Sequence, residues 1–140
     1  MSVRAFVDTN VLVYLFDSRV PAKQARSASL FESLGTEEFV PVLSTQVLQE
    51  TFVALTRKLA MDPRDALASL KLLDDSGFAT QVIGAPVVWR AATRVIKDKL
   101  SFWDALIVEA ALEADCAILF SEDMRAGRSF DGLTVRNPFA

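Results

Sequence analysis

The chain has 140 residues, about half of them apolar, and a net charge of −3. A chain this long buries roughly 70% of the surface it would expose unfolded, so it holds a real core, and its charge argues against a surface that grips nucleic acid everywhere through phosphates. With no histidine and one cysteine, it has no His general base, no Ser-His or Cys-His pair, no zinc site of the usual kind and no internal disulfide.

Chemistry therefore falls to carboxylates, hydroxyls, lysine, arginine or a metal held by oxygen. No apolar run is long enough to cross a bilayer, and the N-terminus lacks a signal-peptide layout. The expectation is a soluble, cytoplasmic protein with no membrane contact.

Val3 to Val7 predicts a first strand. Asn10 is a plausible cap for a helix from Val11 to Asp17, apolar almost all round, so buried or facing a partner. Pro21 opens a second helix to Leu34, closed by Gly35, with Ala25, Ala28, Leu30, Phe31 and Leu34 as its buried face. Phe39 to Leu43 reads as a short strand that Pro41 pushes towards an edge or an irregular end.

Ser44 caps a helix from Thr45 to about Ala60, with an apolar stripe of Val47, Leu48, Phe52 and Leu55. Asp62-Pro63 starts another helix that ends near Gly77. Phe78 to Ile83 reads as a strand. Pro86 opens a helix to about Leu100, expected to bury Val88, Ala92, Val95 and Ile96 and to expose Arg90, Arg94 and Lys97. Ser101 caps a helix from Phe102 to Ala114. Cys116 to Phe120 is apolar throughout, as a central parallel strand should be, with Cys116 a small core residue. Gly127 and Gly132 mark loops, and Leu133 to Arg136 reads as a last edge strand. Strands alternate with helices and no linker or repeat interrupts them. The predicted fold is one α/β domain over residues 1–140, with a mainly parallel central sheet and helices on both faces.

Asp8 ends the first strand, and Glu122 and Asp123 follow the most apolar one. In an open α/β sheet those are ligand-binding positions. Asp104 starts the helix that leads back into that strand, so it belongs at the same edge. Each acid also has an ordinary reading. Asp8 could be a turn or capping acid, Asp104 a capping-box acid favoured by the helix dipole, and Glu50 a solvated residue. Jointly they are harder to dismiss. Unpaired carboxylates about 4 Å apart repel by roughly 4 kcal/mol per pair at an effective dielectric of 20. A hard cation such as Mg²⁺ or Mn²⁺ relieves that repulsion.

Val7-Asp8-Thr9-Asn10-Val11-Leu12 resembles the opening motif of PIN-domain ribonucleases. Gln49-Glu50 lies where that family has its second acid. Ser101-Phe102-Trp103-Asp104-Ala105-Leu106-Ile107 resembles its third motif, and Leu119-Phe120-Ser121-Glu122-Asp123-Met124 its fourth. The four stand in order over nearly the whole chain, and the pattern is most similar to VapC toxins of prokaryotic toxin–antitoxin pairs. The resemblance implies a PIN-like domain and an Mg²⁺- or Mn²⁺-dependent endoribonuclease. Asp8, Glu50, Asp104 and Asp123 would be its metal-binding, catalytic quartet. Thr9, Asn10 and Ser121 would support them, and Glu122 has no assigned role. It also implies a homodimer and a small antitoxin covering the groove. Arg125 and Arg128 follow the fourth motif and are the candidates for phosphate contacts on RNA.

Two rivals remain. An inactive module of the same fold would bind only an antitoxin-like partner. A phosphatase with Asp8 as nucleophile would want an acid where Asn10 stands.

Overall fold

The computed structural model describes residues 2–140. Its six strands form one sheet in the order β3-β2-β1-β4-β6-β5. The strands are β1 (Val3–Val7), β2 (Phe39–Ser44), β3 (Ala79–Gln81), β4 (Ile118–Phe120), β5 (Ser129–Phe130) and β6 (Leu133–Arg136). Four of the five pairings are parallel; β5 alone runs antiparallel, against β6. The helices are α1 (Thr9–Leu15), α2 (Pro21–Leu34), α3 (Thr45–Val53), α4 (Pro63–Asp75), α5 (Ala85–Asp98) and α6 (Phe102–Glu113).

This order decides where a site can form. From β1 the chain steps outward to β2 and β3 on one side, then returns to β4 on the other side of β1. Right-handed crossovers put the helices of the two excursions on opposite faces. The chain winding reverses between β1 and β4, and a crevice opens there at the carboxyl ends. Phe6, Leu43, Leu119 and Leu133 of the sheet are fully buried against α1 and α6, which contribute Leu12 and Ile107.

Several local expectations need correction. Asp8, not Asn10, caps α1, its carboxylate accepting from the Thr9 amide. β2 is interior, not an edge. Pro41 is tolerated because β3 pairs only from Val42 onward, so at Pro41 the strand has β1 alone beside it. β6 is likewise interior, with β5 outside it. Asp131 and Gly132 both take positive φ and make a two-residue hairpin loop that pairs Phe130 with Leu133. On α2, Ser27 and Leu34 are buried while Ala25 and Ala28 are exposed. The Ser27 hydroxyl donates to the Val11 carbonyl at 3.0 Å, a close approach that a larger side chain would prevent.

On α5 the buried face is one residue off the expected one. Val87, Ala91 and Arg94 face inward, whereas Ala92 and Ile96 are exposed. Arg94 can lie inside because Glu109, Asp98 and Asp131 all accept from its guanidinium. The helix from Thr45 stops being regular at Val53 and continues as a π-turn, Ala54–Lys58.

Candidate active site

Asp8 stands one residue beyond β1 and Ser121 one residue beyond β4. The register Val7 to Phe120 sets them side by side, and the Asp8 amide donates to the Phe120 carbonyl at 2.9 Å. The Ser121 hydroxyl donates to Asp8 Oδ2 at 2.8 Å and accepts from the Asp123 amide at 3.2 Å. One buried hydroxyl thus fixes two of the acids. Asn10 adds a second link: its Nδ2 lies 2.9 Å from Asp123 Oδ2 and 3.4 Å from Asp8 Oδ2. Its Oδ1 accepts from the Glu122 amide. Thr9 reaches the other way, donating its hydroxyl to Glu50 Oε1 at 2.9 Å. Ser101 caps α6 by accepting from the Asp104 amide, which places Asp104 in the first turn at the same edge.

Asp8, Glu50, Asp104 and Asp123 all line one cleft of about 460 Å³. Among the described residues, no three acids converge as a ready ligand group. In their place the Asn10 amide sits between Asp8 and Asp123. The electrostatics are those of crowded carboxylates. Burial, then hydrogen bonds from Ser121 and Thr9 that act against it, then the charges of Asp123 and Asp104, set the Asp8 carboxyl; the net effect pushes it from 3.8 up to about 6. Asp104 is also raised, mainly by burial, partly offset by Ser101 and reinforced by Asp123. Among the described residues no lysine or arginine pairs with any of the four. An all-oxygen donor set, negative and without internal counter-cation, fits a hard divalent metal.

Glu122 behaves differently. It lies at the cleft rim, where Lys23 Nζ donates to it at 2.7 Å and the Tyr14 hydroxyl at 3.2 Å. Its charge is already matched. Glu122→Gln should therefore weaken Mg²⁺ binding much less than Asp8→Asn in a calorimetric titration. An equal loss would put Glu122 among the working acids.

Neither Arg125 nor Arg128 lines the cleft. Arg128 donates to the Asp98 carbonyl and stacks on Phe130, 4.6 Å from the ring centroid, so it braces the hairpin against α5. The cleft cation is Lys58, and Gln46 and Trp103 also line it. Sequence reasoning missed all three. Gln46 and Lys58 stand four residues before and eight after Glu50, a helical spacing that was available as a signal.

A family model described as PIN domain matches residues 5–129. Among solved structures, VapC20 of Mycobacterium tuberculosis, described as a sarcin–ricin loop cleaving toxin, is 22% identical. That match covers 85% of this chain and 89% of the other, with a TM-score of 0.64. VapBC2 of Rickettsia felis, bound to a DNA fragment from its promoter, is 15% identical over 96% of this chain and 98% of its own, with a TM-score of 0.70. A toxin–antitoxin complex from Klebsiella pneumoniae is 22% identical over 96% and 97%, with a TM-score of 0.69. At such identities the likeness is one of fold. No curated protein matches the chain.

Proposed function

The chain belongs to the PIN-domain family, and from that premise we propose that it is a divalent-metal-dependent endoribonuclease, the toxin of a toxin–antitoxin pair. The observation that carries this reading is a buried Asp8 that feels the charges of Asp123 and Asp104 at the β1/β4 crevice, with no lysine or arginine among the described residues salt-bridged to any of them. Asp8, Asp104 and Asp123 would hold Mg²⁺ or Mn²⁺, with Glu50 as a further ligand or as the group that orients the attacking water. When bound, the metal supplies Lewis acidity at the phosphodiester and makes water a better nucleophile near neutral pH.

The protein's own residues do the positioning. Ser121 keeps Asp8 and Asp123 in a fixed relation. Thr9 anchors one oxygen of Glu50 at the cleft, which leaves its other oxygen outside that bond for a metal or a water. Asn10 ties the loop after β4 to the start of α1. Asn10 cannot give up and regain a proton, which disfavours the phosphatase alternative.

The neighbours that are toxins or toxin–antitoxin complexes support the toxin reading and a small antitoxin partner. Trp89 and Ile96 on α5 are 68% and 84% exposed, an apolar surface that suits a homodimer. Among the described residues no helix is long and apolar enough to cross a membrane.

The direct test is incubation of the purified protein with RNA in Mg²⁺, in Mn²⁺ and in chelator. Cleavage in both metals and none in chelator is expected. A protein inert towards RNA that still captures an antitoxin would be the binding module instead. Metal binding to the folded state should also raise Tm. At ten times Kd the gain is about 1.4 kcal/mol, or roughly 3–6 °C for a chain of this size. An unchanged melt across a millimolar Mg²⁺ titration would mean that the site does not take the ion alone.

A further inference from the structure

The cleft that holds the acids is also lined by two aromatic residues and one cation that metal binding does not use. They are Tyr14, whose hydroxyl is engaged with Glu122 and Lys23, and Trp103 and Lys58, which pair with no charged group among the described residues. Trp103 is 62% exposed and lines the cleft beside Asp104. It is held rather than loose. Its ring meets Phe102 edge-on, with centroids 5.3 Å apart. Its carbonyl accepts from Gln46 Nε2 at 3.2 Å. Gln46 is 5% exposed, lines the same cleft, and its Oε1 is buried without a hydrogen-bond partner. A buried, unpartnered amide oxygen is costly, and it marks a spot that a donor from outside would complete.

Lys58 reaches the cleft through a departure from regular helix. Gln46, Glu50, Ala54 and Lys58 all line it at spacings of four. In a regular α-helix, with 3.6 residues per turn, twelve residues place the last roughly 120° away from the first. The π-turn from Ala54 to Lys58 is wider and takes back part of that drift. Its Leu59 amide bonds to the Ala54 carbonyl at 3.2 Å, five residues back.

We propose that Trp103 is a stacking platform for a nucleobase next to the scissile phosphate, and that Lys58, turned onto the cleft by the π-turn, takes a neighbouring phosphate. The site then accepts an unpaired nucleotide and not a base within a duplex, because a stacked base inside a helix has no free face to offer the ring. This assignment rests on the nuclease reading.

The chain has two tryptophans, so Trp89→Phe on the outer helix leaves Trp103 as the single emitter. Titration of that protein in Mg²⁺ with a 2′-O-methyl oligoadenylate, which resists cleavage, should quench the emission. The same strand annealed to its complement should not. Trp103→Ala should weaken binding about tenfold, Trp103→Phe should recover most of it, and Tm should stay unchanged in both because the ring is exposed. Lys58→Gln should reduce the slope of log affinity against log salt by about 0.7. Oligonucleotide binding with unaltered emission and unaltered Trp103→Ala affinity would overturn the stacking site while wild-type RNA cleavage kept the nuclease reading intact. Absence of both binding and cleavage in the wild type would bring down that reading and this assignment together.

Discussion

Asp8→Asn should abolish metal-dependent RNA cleavage and, at the same time, make the metal-free protein more stable at pH 7. Asp8 is 5% exposed, and its carboxyl is pushed from 3.8 to about 6, chiefly by burial. An unfolded chain gives up this proton near pH 3.8, while the folded chain holds it to about pH 6. The folded state therefore binds more protons between those values, and stability falls as pH rises through that window. Above about pH 6 the full cost applies, on the order of 3 kcal/mol; below pH 3.8 it is absent.

An asparagine removes the charge and keeps an oxygen for the Thr9 amide. Thermal melts in chelator should show the variant above wild type at pH 7 and the gap closing near pH 4. A variant less stable than wild type at pH 7 would mean that the charge is not a burden. Cleavage should fall by at least about 10³-fold, or about 4 kcal/mol of barrier, because the group that costs stability is the one proposed to hold the metal.

Arg94→Ala should produce the largest stability loss on the far side of the molecule. Its Nε lies 2.7 Å from Glu109, Nη1 2.7 Å from Asp98 and Nη2 2.9 Å from Asp131. Burial alone would lower its pKa; the hydrogen bonds it donates to the three carboxylates more than offset this and hold it above the ordinary arginine value. The three partners sit on α6, at the end of α5 and in the β5–β6 loop, so one guanidinium ties three elements together. Glu109 is only 6% exposed. Without Arg94 it keeps only Arg90, at 3.6 Å.

Breaking a buried pair from one side costs about 3–5 kcal/mol, which is a drop of roughly 10 °C or more in Tm here. Replacing both partners by apolar residues, Arg94→Met with Glu109→Leu, should recover most of the loss. A single variant within about 1 kcal/mol of wild type would show that Glu109 is well solvated without its partner.

What could be read from the residues alone was the alternation of strands and helices, and from it the sheet edge where Asp8, Asp104 and Asp123 lie. Apolar runs and caps carry that information locally. What could not be read was anything set by a partner distant in the chain. Arg94 counts as polar in any periodicity, so the apolar pattern of α5 points to the neighbouring face. Pro41 pointed to an edge because the length of β3 is not written in β2. Arg128 lay near the acids in sequence, yet Phe130 and the Asp98 carbonyl draw it elsewhere. The Asp131-Gly132 hairpin was legible in principle; a two-residue strand was simply too short to show a pattern. Glu50 enters the site in the sequence only through the family resemblance; its helix alone reads it as solvated, because the Thr9 hydroxyl that holds it lies on a distant element.

The sheet stops on both sides in very short strands, three residues in β3 and two in β5. Cross-β growth needs flat segments of about six or seven residues. Neither rim can template a copy of itself, so the folded protein can be concentrated without seeding fibrils through its sheet.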